Sequence, residues 1–126
     1  MHSFRVANLT TGAGLGEHVE KADSFFSRLR GLLGRSGLQA GGGLWITRCN
    51  SVHMFFMRFP IDVVFLDAKL RVIRAIEGLR PWQVTRVHLT ADSCLELPVG
   101  TITASGTLAG HQLAVEASAR AESGTG

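Results

Sequence analysis

Short runs with strand patterning recur along this chain. Ser3 to Leu9, GEHVEKA at 16–22, LWITRC at 44–49, VHMFFM at 52–57, DVVFLD at 62–67, LRVIRAIEG at 70–78, CLELPVG at 94–100 and HQLAVE at 111–116 are rich in branched and aromatic residues or alternate between apolar and polar positions. Glycines punctuate them, as in TTGAGLG at 10–16, and Asp67-Ala68-Lys69 reads as the tip of a tight turn between two strands. Pro60 predicts a bend or a sheet edge, because proline cannot donate to a ladder. LRPWQVTRVHLTAD at 79–92 is ambiguous, a Pro-Trp turn followed by weak alternation, and TITASGTLAG at 101–110 reads as a short helix or a turn.

One stretch carries the helical period instead. Asp23 or Ser24 can cap a helix start, and Phe25, Phe26, Leu29, Leu32 and Leu33 then fall on one face. Arg28, Arg30 and Arg35 lie elsewhere on the wheel, as a solvated face would, and Gly34 supplies a left-handed stop. Six to eight short strands and one helix predict an α+β, mostly β domain: a compact barrel-like or sandwich sheet with the helix packed on it. Strands and helices do not alternate, which argues against a doubly wound parallel sheet. Residues 1–117 read as a single β-rich domain, and the small polar residues of 118–126 as a flexible tail.

Composition narrows the classes. The chain has 126 residues, 45% of them hydrophobic, enough for one domain with one core. Net charge is only +3, and all but two of the 13 basic residues are Arg, scattered without a basic run or interleaved aromatics. Nucleic-acid binding is therefore not expected. No run approaches a membrane span, and no apolar leader precedes the domain, so the expected location is the cytoplasm. There Cys49 and Cys94 are expected to be thiols. The glycines of QAGGGLW at 39–45 are not a phosphate loop, since no Lys-Ser or Lys-Thr and no helix follows them.

The densest chemistry lies in CNSVHMFFMRFPID at 49–62. As a strand, one face would carry Cys49, Ser51, His53, Phe55, Met57 and Phe59. Cys49 as nucleophile, His53 as base and Asp62 as its orienting carboxylate would make a thiol enzyme. Cys49, His53 and Met57 would make a soft-metal site. Both ideas meet one obstacle: four residues of straight strand separate Cys49 from His53 by roughly 13 Å. Simpler roles compete at each position. His53 can be a hydrogen-bonded histidine near a core, Cys49 a small hydrophobe, and Met54 and Met57 gap fillers. Asp62 can accept backbone N–H groups or pair with Arg58, and Asp67 can serve its turn. Glu96 between Leu95 and Leu97 reads as an outward charge, and His18, His88 and His111 as surface residues.

RLRGLLGR at 28–35, CNSVHMFFMRFPIDVVFLD at 49–67, LRPW at 79–82 and CLELPVGT at 94–101, in this order and spacing, resemble the prokaryotic family known as domain of unknown function 192, or uncharacterised protein family 0127. The resemblance runs from about Glu17 to Val115. It implies a small barrel-like β domain with a helix, and it brings no established reaction. It also implies a Gly-Asp turn before the last strand, where this chain has Gly110-His111, and a plain apolar residue at the position of Cys94. Many members resemble secreted or lipid-anchored proteins, and no such leader is read here.

The functional expectation is a non-enzymatic module that binds a small ligand or a protein, with His53, Arg58, Trp82 and Glu96 at the rim of its pocket and Trp45 among the lining residues. The alternatives are the thiol enzyme of Cys49, His53 and Asp62 and the soft-metal protein. The reading leans against an enzyme, expects no cofactor, and leaves the oligomeric state open.

Overall fold

The computed structural model describes residues 3–22, 38–52 and 58–118. The helix predicted from Asp23 or Ser24 to Gly34, most of the strand-like run at 52–57 and nearly all of the tail lie outside the described residues.

Among the described residues seven strands make one sheet: β1 (Ser3–Asn8), β2 (Gly14–Ala22), β3 (Gly42–Thr47), β4 (Ile61–Leu66), β5 (Val72–Leu79), β6 (Ser93–Leu97) and β7 (Leu113–Ala117). The spatial order is β5-β4-β6-β3-β2-β1-β7. All neighbours are antiparallel except β2 and β3. That parallel pair needs a crossover between the end of β2 at Ala22 and the start of β3 at Gly42. One five-residue helix, α1 (Thr101–Ser105), follows β6 in the stretch that reads as helix or turn. The sheet curls until its edge strands meet at one end. Arg71 bridges Gln112, Val72 N–H donates to His111 O at 2.8 Å, and Leu113 N–H donates to Leu70 O at 3.0 Å. The result is a mostly-β half-barrel.

The curl has two packed faces. Inside lie Val6, Leu15, Val19, Val64, Leu66, Val72, Leu95, Leu97 and Leu113, with Ile102 of α1 inserted among them. Outside, a second cluster covers β3, β4 and β6: Leu44, Ile46, Ile61, Val63, Phe65 and Cys94 pack with Val52, Phe59 and Leu79. Every residue of β4 and of β6 is therefore buried. This explains the unbroken apolar run of β4, because a strand covered on both faces loses its alternation. It also corrects the expectation for Glu96, which is fully buried on the outer face between Leu44 and Val63 rather than pointing to solvent.

Two local devices fix the sheet. Gly43 sits at φ 155, and a Cβ there would lie 2.6 Å from Glu96 O and 2.9 Å from Leu97 Cδ2. A side chain at this position would force β3 away from β6. In β5 the register slips between Ile61/Leu79 and Val63/Ile76, so Asp62 faces an extra residue at a bulge where Gly78 takes φ 61.

Candidate functional site

The site residues are ordered by cross-strand rows on the outer face. Register places Arg74, Phe65, Cys94 and Ile46 side by side across β5, β4, β6 and β3. The next row is Ile76, Val63, Glu96 and Leu44. Two irregular segments, 48–52 and 80–92, lie over these rows.

The first segment begins with a reversal. In a regular strand Cys49 would share the face of Thr47, opposite to Ile46 and Cys94. Arg48 instead adopts φ 56, a left-handed backbone uncommon outside glycine. Cys49 then packs on the outer cluster, and Cys94 Sγ–H donates to Cys49 Sγ at 2.9 Å. Cys49 N–H donates to Asp92 O at 3.3 Å, and its Sγ–H lies 3.2 Å from Ser51 O. Both cysteines are thiols; Cys49 is half-buried and Cys94 fully buried.

The second segment zips onto the first. Thr85 N–H donates to Val52 O, His88 N–H to Asn50 O, both at 2.8 Å, and Val52 N–H to Thr85 Oγ1 at 2.9 Å. The His88 ring stacks on Phe65 with centroids 4.3 Å apart and planes 28° apart. Val87 and Leu89, its neighbours in sequence, are exposed, so at 87–89 the segment turns the His88 ring to the sheet and the two apolar side chains to water. Between the segment and β5 opens a cavity of about 350 Å³ lined by Arg74, Ile76, Arg86 and His88. Arg5–Glu116 is the ion pair found among the described residues, so Arg74 and Arg86 face the cavity without a carboxylate partner there. His88 Nδ1 is buried and makes no hydrogen bond among those residues.

The residues singled out from the sequence are dispersed. Asp62 is fully buried and belongs to the inner face, alternating with Ile61 and Val63 of the outer one. Its Oδ1 accepts Gly78 N–H at 2.9 Å; its Oδ2 accepts Gly100 N–H at 3.2 Å and Ile102 N–H at 2.9 Å. It thus satisfies the bulge of β5 and the start of α1, and its partners are backbone groups rather than Arg58. The sheet separates it from Cys49. Trp45 also packs on the inner side, with Nε1–H donating to Ser93 Oγ at 3.0 Å and Lys21 Nζ 5.3 Å from its ring centre. Arg58 and Trp82 are exposed, the latter in a turn where it takes φ 69. Glu96 shares the outer face with Cys94. His53 and Met57 lie outside the described residues. Arg74, Arg86 and His88 were not singled out as site residues. The signal available was spacing: Arg74 with Ile76 and Arg86 with His88 are pairs two apart, which puts each pair on one side of an extended chain.

His111 stands where the family resemblance implies an acid. Its Nδ1 accepts from Leu108 N–H at 3.2 Å and lies 3.1 Å from Asn8 Nδ2. Two donors converge on one nitrogen, so the ring supplies the acceptor that a carboxylate would. Asn8, fully buried, also donates to Thr107 Oγ1 and accepts from Thr10 and Thr11 N–H, tying β1 to the turn before β7.

Fold and site together define a small single-sheet half-barrel with a built outer layer. The same fold occurs in a Novosphingobium aromaticivorans protein of unknown function, with a TM-score of 0.74 at 18% identity over 88% of this chain and 82% of that one. It occurs as well in a Sinorhizobium meliloti protein that carries a provisional transcription-regulator name, with a TM-score of 0.71 at 23% identity over 90% and 91%. The model of the DUF192 family, described as "Uncharacterized ACR", matches residues 7–115, and the chain belongs to that family. A UPF0127 protein of Thermococcus sibiricus is 37% identical over 99 residues, which are 75% of this chain and 64% of the relative. The match thus spans less than two thirds of that relative's length.

Proposed function

We propose that the protein is a non-enzymatic, cytoplasmic binding module that takes a small anion, carboxylate or phosphate, in the cavity between β5 and residues 86–88. One observation carries this reading: two guanidinium groups without a carboxylate partner among the described residues, and a buried ring nitrogen without a hydrogen bond, line the same cavity. Arginine presents a planar fork of donors that matches both kinds of anion. His88 adds a polar group at a fixed place, because its ring is held on Phe65 and its backbone on Asn50. Ile76 supplies an apolar wall, the usual companion of a few convergent polar groups in a ligand pocket.

The test is titration of the protein with inorganic phosphate and with citrate at low ionic strength, followed by backbone and imidazole NMR. The expected result is saturable shifts confined to residues 74–76 and 86–88, and an affinity at least about tenfold weaker in Arg86→Ala, since a charge-assisted hydrogen bond contributes about 1.5–3 kcal/mol. Shifts spread evenly over all the surface arginines, or an unchanged affinity in Arg86→Ala, would overturn the reading.

A further inference from the structure

We propose that Cys49 and Cys94 form a redox-active dithiol, with Cys49 as the site attacked first and Cys94 as the thiol that resolves the adduct into an intramolecular disulfide. The proposal stands apart from the anion cavity and does not depend on it.

Three observations meet here. The sulfurs are 2.9 Å apart, and a disulfide needs about 2.0 Å. The remaining approach of about 0.9 Å falls to a residue that has already left its strand: Cys49 follows the left-handed Arg48, beyond the end of β3. Its backbone is nevertheless held beside β6 by the hydrogen bond from Cys49 N–H to Asp92 O. Cys94, by contrast, lies in the middle of the sheet, paired with Ile46 on one side and Phe65 on the other. Access differs in the same sense. Cys49 is half-buried and within reach of a small reagent, whereas Cys94 is sealed at 0% exposure. An accessible thiol backed by a buried one is the arrangement in which the first forms a mixed disulfide and the second completes the exchange.

The oxidant is a low-molecular-weight disulfide such as oxidised glutathione. The Cys49 thiol gives up its proton, and its sulfur attacks one sulfur of the glutathione disulfide. That S–S bond breaks, and one glutathione leaves as the thiol with the proton. The Cys94 thiol then loses its proton as its sulfur attacks Cys49 Sγ. The mixed S–S bond breaks and the second glutathione leaves as the thiol. Two protein thiols are oxidised to one disulfide, and one glutathione disulfide is reduced to two thiols. A reduced thiol pool drives the same steps in reverse.

The experiment treats the reduced, full-length chain with oxidised glutathione. It is then quenched in acid, unfolded, alkylated and analysed as intact mass and as non-reducing peptides. The expected result is a monomer lighter by two hydrogen atoms, loss of both alkylatable thiols together, and a peptide pair bridged through Cys49 and Cys94, all reversed by reduced glutathione. Cys94→Ala should stop at a glutathione adduct on Cys49, and Cys49→Ala should leave Cys94 unmodified until the protein is unfolded. A wild-type protein that keeps both thiols, accumulates a stable adduct at Cys49, or bridges only between molecules would overturn the proposal. The wild-type measurement decides even where a variant fails to fold.

Discussion

Removing the Asp62 carboxylate tests what this residue does. In Asp62→Ala three backbone donors lose their acceptor: the N–H groups of Gly78, Gly100 and Ile102. Ile102 is buried and its N–H has no route to water, so that loss alone costs about 1–3 kcal/mol. Gly78 and Gly100 are not fully buried and can be partly rehydrated, at about 0.5–1.5 kcal/mol each. The total expected is about 2–6 kcal/mol, a large share of the roughly 5–15 kcal/mol available to a domain. Asp62→Asn is the informative control. Its carbonyl can keep the Oδ2 position, which serves Gly100 and Ile102, while its amide meets the Gly78 N–H donor to donor. It should lose less, about 1–3 kcal/mol. Urea unfolding followed by far-ultraviolet circular dichroism, with equal slopes for all three proteins, measures both numbers. A loss under about 1 kcal/mol in Asp62→Ala, or a larger loss in Asn than in Ala, would refute the reasoning. The proposed anion binding on the opposite face should survive in whatever fraction stays folded.

Two glycines separate steric from conformational cost. Gly43→Ala should lose about 2–4 kcal/mol or fail to accumulate as soluble protein, because the added carbon meets Glu96 O in the backbone of β6. Gly78→Ala, with open space around its Cβ but φ 61, should lose only about 1–2 kcal/mol, and thermal melts of the pair should keep that order. His111→Asp should stay within about 1 kcal/mol of the parent because it still accepts, whereas His111→Ala should lose about 1–3 kcal/mol by removing the acceptor of Leu108 N–H and one of the two acceptors of the Asn8 amide; urea midpoints decide between them.

The strands were legible because each is short, apolar in pattern and bounded by turn residues. Asp67 is a clear case: its Oδ1 accepts Lys69 and Arg71 N–H at 2.9 Å each, the turn chemistry its position implied. The α+β, mostly β class followed from strand number and the lack of alternating helices, which left barrel-like and sandwich sheets both open. What did not follow was which faces are covered. Alternation in CLELPVG suggested an outward Glu96, yet β6 sits between β4 and β3 and is covered on both sides. Burial there depends on residues outside the strand, such as Val52, 44 positions before Glu96, which no local period reports. The same limit hid the site. Cys49 and Cys94 meet only because Arg48 reverses the chain's facing, and nothing in ITRC announces a left-handed arginine. Asp62 was legible as a buried acceptor of backbone groups, but its donors lie 16, 38 and 40 residues away.

The placement of the polar groups argues for function on the outer face. A curled sheet offers its interior as the obvious ligand site. Here the interior is filled by aliphatic side chains from β1, β2, β4, β5, β6 and β7 and stoppered by Ile102. On the outer face the rows instead bring Arg74, Phe65 and Cys94 together, and the 80–92 segment lays His88 on Phe65 and Arg86 beside it. A segment whose only task was to cover a core would turn Val87 and Leu89 inward and His88 to water, since burying a polar ring nitrogen without a partner costs free energy and exposing Leu89 gains none. The observed arrangement is the reverse, and hydrogen bonds to Asn50 and Val52 hold it there. A buried polar atom kept in place against its desolvation cost, next to two guanidinium groups, supports the proposed reading of this cavity as an anion pocket.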